Sequence, residues 1–229
     1  MARTEALNRF HTLLVLWRDS LEAGGRRFVI GRLGWEPDAK IFTFSYGDEI
    51  ADAQTRGFRL LPEFPSETLE YRSPHLFAAF AQRVPSASRP DRARLFESWG
   101  IENPDDPMEI LARSGGLSAT DRLELAEARE ETTGLRSPLE VRVAGLRYHE
   151  GRNDVTPGDM LTLQREPDNE KDPNAVKVLA PSGRSVGYIP RQYAPLVARD
   201  LDGGERILAR ALRRQGPDNE RWVVELRVT

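Results

Sequence analysis

The chain has 229 residues, 39% of them apolar and 30% charged, and a formal net charge of −3; that length suffices for two domains with separate cores, and the charge argues against a broad phosphate-neutralising surface. It has no cysteine and three scattered histidines, His11, His75 and His149, so disulfides, thiolate nucleophiles and zinc sites find no basis, and no cofactor is expected. No apolar run approaches the roughly 20 residues of a membrane-spanning helix, and "MARTEALNRFHTLLVLWRD" offers no cleavage site, so the expectation is a cytoplasmic protein that does not meet the membrane.

The first segment reads as strands. "HTLLVLWRD", "RRFVIGRLGW" and "KIFTFSYGD" are rich in β-branched and aromatic residues and are separated by Gly, Pro and Asp, which predicts an antiparallel meander. After "GFRLLPEFP" the period changes: "SPHLFAAFAQRV" places Leu76, Phe77, Phe80 and Val84 on one helical face behind Ser73-Pro74. A second helix is expected from about Arg89 to Trp99, opened by Pro90 and closed by Gly100. A third, "DPMEILARSGG", begins with Asp106-Pro107 and ends in Gly115-Gly116. Phe77, Phe80, Phe96 and Trp99 read as core residues at helical spacing. "SATDRLELAEAREETTGLRSP" then declines into polar residues, and a domain boundary is expected at 136/137.

From Leu139 the pattern is again β: "LEVRVAGLRY", "DMLTLQRE", "NAVKVLA" and "RSVGYI", then a helical "PRQYAPLVARDLDGG", then "RILARALRRQ" and "RWVVELRV". Alternation such as Val141 and Val143 about Arg142 lets one face of each strand enter a core. Five to six short strands and one helix in some 90 residues predict a small closed barrel. The fold class expected is therefore α+β: a small antiparallel sheet with helices at 1–136, and a small OB/SH3-like β-barrel with one helix at 137–229. Residues 139–229 carry 15 Arg and Lys against 14 Asp and Glu, and the remainder 18 against 22, so any nucleic-acid contact should be local.

The connection "LQREPDNEKDPNAVKV" is longer and more polar than a hairpin needs, since a two-residue turn would join the strands at less entropic cost. Asp168, Asn169 and Asp172 can close Asx-turns, with Asn174 starting the next strand. Alternatively, Pro167 and Pro173 restrain a pocket wall. Glu166, Asp168 and Asp172 also form a carboxylate cluster of the kind that can hold Mg²⁺ in a nuclease, although no second cluster or general base accompanies them.

"VAGLRYHEG", "LQREPDNEKDPNAVKV" and "GRSVGYIP", in this order and spacing, resemble the HIRAN domain over about 139–229. The resemblance implies a barrel related to OB and SH3 folds that holds the 3′ end of single-stranded DNA. It implies that Arg147 and Tyr148 meet the terminal nucleotides as a cation and an aromatic, and that Asn169 and Asp172 bind the terminal base and 3′ hydroxyl. Lys171 stands where DNA-binding eukaryotic members have a stacking aromatic, Tyr188 replaces their histidine, and Arg191 is available for a phosphate; Arg165 completes the expected DNA-binding set. A base stacked on an aromatic ring contributes about 1 to 3 kcal/mol, which Lys171 would replace by salt-sensitive phosphate attraction.

"FVIGRLGW", "FTFSYGD", "GFRLLPEFPSETLEYRSPHLFAAFAQRVPSASRPD" and "DPMEILARSGG" are similar to the N-terminal subdomain of HipA-type toxin kinases over about 10–126. No phosphate-cradling loop, catalytic loop or metal-binding Asp of a kinase core follows; "GGLSAT" lacks both the length and the following Lys. The resemblance implies a role in protein contact or regulation. The expected protein is thus a non-enzymatic DNA-binding protein, of single strands or 3′ ends, with the N-terminal half meeting a protein partner. The alternative is a toxin-neutralising interaction module that acts through that half.

Overall fold

The structure is a computed structural model and describes residues 10–20, 25–118, 121–129, 135, 137–215 and 221–229. The chain divides into two compact units, Met1–Ala128 and Arg129–Thr229.

In the first unit the segments rich in β-branched and aromatic residues form β1 (Thr12–Arg18), β2 (Arg27–Glu36) and β3 (Ile41–Tyr46), the expected meander. A short β4 (Tyr71–Ser73) extends it at one edge and β5 (Leu123–Glu127) at the other, giving an antiparallel sheet of order β4-β3-β2-β1-β5. Strand β5 lies inside the stretch read as polar decline. Its alternation is brief: Leu123 and Leu125 are buried, while Glu124 between them accepts from the Arg27 guanidinium at 2.9 and 3.2 Å. A polar residue with a cross-strand partner costs a strand little.

Among the described residues four helices accompany the sheet: α1 (Ile50–Thr55), α2 (Ala78–Ala81), α3 (Arg92–Trp99) and α4 (Pro107–Ser114). The helix expected across 74–84 is only the single turn α2, and Ser73 belongs to β4. Phe77 and Phe80 are nevertheless buried as their spacing indicates. The Glu63 carboxylate caps this turn, accepting from the amides of Ala78 and Ala79 at 3.0 and 2.9 Å. Helix α3 starts at Arg92, later than expected, and ends at Gly100 with φ 70°. In α4, Asp106 accepts from the Met108 amide at 2.9 Å, the N-cap its sequence predicts. The core is aromatic: Phe44 stacks on Phe64 at 4.1 Å, and Phe64 meets Phe77 edge-on at 5.0 Å. Phe96 is buried and Trp99 half-buried.

Among its described residues the second unit has six strands: β6 (Leu139–Arg142), β7 (Met160–Arg165), β8 (Val176–Leu179), β9 (Ser185–Tyr188), β10 (Ile207–Gln215) and β11 (Arg221–Val228), with α5 (Ala194–Asp202) between β9 and β10. Their order is β6-β11-β10-β7-β8-β9, every pair antiparallel. The sheet curls into a half-barrel around Val141, Val178, Val186, Ala209, Ala211, Trp222 and Leu226. Full closure was expected; instead the two ends meet at one antiparallel bridge, Ala144 with Tyr188. The expected strand 139–148 stops at Arg142. Gly145, at φ 77°, turns the chain into a 3-10 segment over Leu146–Tyr148, and a second 3-10 segment follows at Glu150–Asp154.

Gly187 makes the bridge possible. Its φ is 150°, and a Cβ there would overlap the Ala144 carbonyl oxygen and lie 2.7 Å from Val143 Cγ1. Gly187→Ala is expected to lower the stability of this unit by about 2 to 4 kcal/mol through strain and overlap, read as a lower urea midpoint; an unchanged midpoint would remove the bridge from the account of the fold.

Candidate nucleic-acid interface

The connection between β7 and β8 runs from Glu166 to Ala175 and is bound to itself at nearly every step. The Glu166 amide donates to the Ala175 carbonyl at 3.0 Å, and the Asn169 amide donates to the Glu166 carbonyl at 3.1 Å. Asn169 Oδ1 accepts from the amides of Lys171 and Asp172 at 3.0 and 3.3 Å, and Asp172 Oδ1 accepts from the Asn174 amide at 2.8 Å. The Asx-turn reading therefore holds for Asn169 and Asp172, whereas the Asp168 side chain closes no turn among the described residues and the next strand starts at Val176 rather than at Asn174. It is compatible with a pocket wall, because such turns hold the backbone in one shape before any ligand arrives.

Glu166 is the centre of this region. Its carboxylate forms an ion pair with Lys177 and accepts from Asn169 Nδ2 and from the Tyr188 hydroxyl, each at 3.0 Å. These donors hold Glu166 below its ordinary pKa, the Lys177 ammonium first, and Glu166 in turn holds Lys177 above its own. Burial, and then the adjoining carboxylate, raise the Tyr188 phenol. The strand register explains the meeting: Lys177 lies directly across from Tyr188 on one side and Gln164 on the other. Lys177 Nζ sits 5.8 Å from the centre of the Tyr188 ring, and the His149 ring meets that ring edge-on at 5.6 Å. Partial burial, with Lys177 nearby, pushes the His149 imidazole below its usual pKa.

The structure thus brings Asn169, Tyr188, Glu166, Lys177 and His149 together, the last three outside the expected DNA-binding set. Tyr148, next to His149, is 66% exposed, with no side-chain partner among the described residues. Arg147 lies in the 3-10 segment rather than on a strand, and its side chain is outside the described residues. Lys171 and Arg191 are exposed and their side chains are unpaired among the described residues. Arg165 is differently engaged. Its guanidinium grips Asp202 at the end of α5 at 2.9 and 3.0 Å and reaches the Ala175 carbonyl at 2.9 Å, so it braces the base of the connection. The three acids weighed as a Mg²⁺ cluster separate in role: Glu166 faces Lys177, Asp172 closes a turn, and Asp168 is exposed. Among the described residues no three His, Cys, Asp or Glu side chains gather to hold a metal ion, and no helix is long and apolar enough to cross a membrane.

Glu166 titrates with a definite sign. Its folded pKa lies below the ordinary value near 4.5, so its stabilisation is present above about that pH and is lost as pH falls through the folded value. Glu166→Gln is expected to cost about 1 kcal/mol at pH 7. In urea unfolding the gap from the unmodified protein should shrink below pH 4; a gap independent of pH would contradict the charged hub.

Comparison with known proteins bears on the same residues. The model of the HIRAN domain matches residues 138–227. The helicase-like transcription factor of Mus musculus is 40% identical over 78 residues, 34% of this chain and 8% of that protein. The Fanconi-associated nuclease 1 homolog of Oryza sativa subsp. japonica is 40% identical over 63 residues, 26% of this chain and 6% of that one. The chain thus spans less than a tenth of the length of these curated relatives. The crystal structure of the HIRAN domain of human HLTF is 30% identical and covers 42% of this chain and 77% of its own, with a TM-score of 0.37. The family match and the identity of these relatives support a HIRAN domain at residues 138–227.

Proposed function

We propose that the C-terminal unit binds the 3′-hydroxyl end of single-stranded DNA and performs no chemistry on it. The observation that carries this reading is the ordered connection itself: Asn169 and Asp172 are held by six hydrogen bonds of their own amides and side chains and their immediate neighbours. Asp172 Oδ1 is used by the Asn174 amide, and no described group takes Oδ2, which leaves an acceptor for a sugar hydroxyl. An anionic acceptor there favours a hydroxyl and repels a terminal phosphate.

Tyr148 supplies the aromatic surface on which a terminal base stacks, and its exposure means that little must move to admit one. Tyr188 takes a different part. Its hydroxyl is committed to Glu166 and its ring lies beside Lys177 and His149, so it forms the pocket's side wall rather than a second open platform. Lys171 and Arg191 offer charge to the adjoining phosphates in place of the missing aromatic. We further propose that the N-terminal unit, whose sequence resembles the N-terminal subdomain of HipA-type toxin kinases, meets a protein partner and leaves DNA to the C-terminal unit, and that the site works inside a cell, where such ends arise.

Fluorescence anisotropy with a single-stranded oligonucleotide ending in a 3′ hydroxyl, and with its 3′-phosphorylated twin, tests the reading. The hydroxyl end should bind more tightly, Asp172→Ala should abolish the preference, and Tyr148→Ala should weaken binding by about 5- to 150-fold, the equivalent of one stacked base. The oligonucleotide should be recovered intact with Mg²⁺ present. Equal affinity for the two ends would contradict the proposal.

A further inference from the structure

The outer face of the half-barrel continues away from the pocket without interruption. Because strand residues alternate between faces and paired residues share one, the register can be followed across the sheet. Tyr188, Lys177 and Gln164 form one row across β9, β8 and β7. On β7, Gln164 shares its face with Thr162 and Met160; Met160 pairs with Arg210 on β10. Two residues from Arg210, Leu208 pairs with Arg227 on β11. Gln164, Thr162, Met160, Arg210 and Arg227 are all exposed, while Leu161, Ala209 and Leu226, which alternate with them, are buried on the inner face.

Several arginines of this unit are tied to its own scaffold. Arg165 holds Asp202, Arg184 holds Asp154, and Arg213 holds Glu140 at 2.6 Å. Arg214 donates to the Arg152 carbonyl at 3.0 Å. Arg210 and Arg227, like Arg191 near the pocket, are not: neither guanidinium forms an ion pair or hydrogen bond among the described residues. The carboxylates nearest them in the register are Glu225, across from Arg210, and Glu140, across from Glu225 and held by Arg213, so this end of the face keeps an excess of positive charge. Nearer the pocket, Gln164 and Thr162 offer neutral donors suited to phosphate and sugar oxygens, and Met160, 49% exposed, offers a polarisable thioether to a base face.

We propose that the outer face of β7, β10 and β11 is a track for the sugar–phosphate backbone of the single strand whose 3′ end occupies the pocket, with Arg210 and Arg227 as its phosphate contacts. This rests on the end-binding reading, and charge complementarity and continuity with the pocket select the occupant. Strands lie about 4.8 Å apart, so the path from β9 to β11 is about 19 Å. Successive phosphates of an extended single strand lie about 6 Å apart, wider than the roughly 3.4 Å axial rise of a duplex strand, so the path takes roughly three nucleotides beyond the one in the pocket. A short oligonucleotide therefore reaches the pocket alone, and a longer one engages the arginines as well.

The test compares, on the full chain, a trinucleotide and a dodecanucleotide that both end in a 3′ hydroxyl, over a range of salt concentrations. The dodecanucleotide should bind more tightly. The Arg210→Ala/Arg227→Ala variant should lose about tenfold of its affinity, and its slope of log K against log salt should fall by about 1.4, two single-strand phosphate contacts. Trinucleotide binding should be unchanged, which also shows that the variant is folded. Equal affinities for the two lengths, or a length advantage that survives in the variant, would overturn the track and leave the pocket standing. Arginine-dependent binding of the dodecanucleotide without any binding of the trinucleotide would uphold the track and remove the pocket. Binding of neither would overturn both.

Discussion

The Glu166 carboxylate is shared by three donors that belong to three different pieces of chain: Lys177 on β8, Tyr188 on β9 and Asn169 in the connection between β7 and β8. Each donor depends on a separate feature. Lys177 and Tyr188 face one another because of the β8–β9 register. Tyr188 is fixed in turn by its two backbone hydrogen bonds with Ala144, at 2.8 and 2.9 Å, where the sheet curls back on itself. Asn169 presents its Nδ2 to Glu166 while its Oδ1 is held by the Lys171 and Asp172 amides. The ion pair is partly exposed, so its Coulomb energy is modest. Its larger effect is geometric: one anion sets the positions of a turn, a lysine and an aromatic ring together.

This arrangement gives the long connection a physical reason. A ten-residue link costs more entropy to close than a two-residue turn, and that cost is offset in the folded state by the Asx-turns, by Glu166 and by the Arg165 brace from below. Arg165 shows how the polar residues divide their labour. Side chains that look available in the sequence are spent on holding the loop, and the groups left over, Tyr148, Lys171, Arg191 and one oxygen of Asp172, are what a ligand would meet. The same distinction between engaged and unengaged cations marks out Arg210 and Arg227 on the outer face.

Runs of β-branched and aromatic residues set off by Gly, Pro and Asp made strands β1 to β3 legible in the sequence, alternation marked β6 and β7, and the Asp-Pro and Gly signals located α4. Strand β5 was not legible, because its polar positions are satisfied by Arg27, a partner 97 residues away. The helix over 74–84 was over-read: its apolar residues are buried, yet a single turn capped by Glu63 suffices to bury Phe77 and Phe80. At the site, Asn169, Asp172 and Tyr188 stood out in the recognised pattern. Lys177 did not, since an outward lysine on a strand looks like an ordinary solvated residue, and Glu166 was weighed as a metal ligand. The available signal was register: once β8 and β9 are paired, Lys177 must lie beside Tyr188. Nothing local could pair Arg165 with Asp202, which lies 37 residues on and beyond two strands.

The most direct test of an ordered 3′-end pocket is backbone amide NMR on the ¹⁵N-labelled chain as a 3′-hydroxyl oligonucleotide is added. The account predicts shift changes concentrated at 145–150, 166–174 and 186–191, with the loop amides already protected from exchange before the ligand arrives. Changes confined to the N-terminal unit, or loop amides that become protected only on binding, would contradict it.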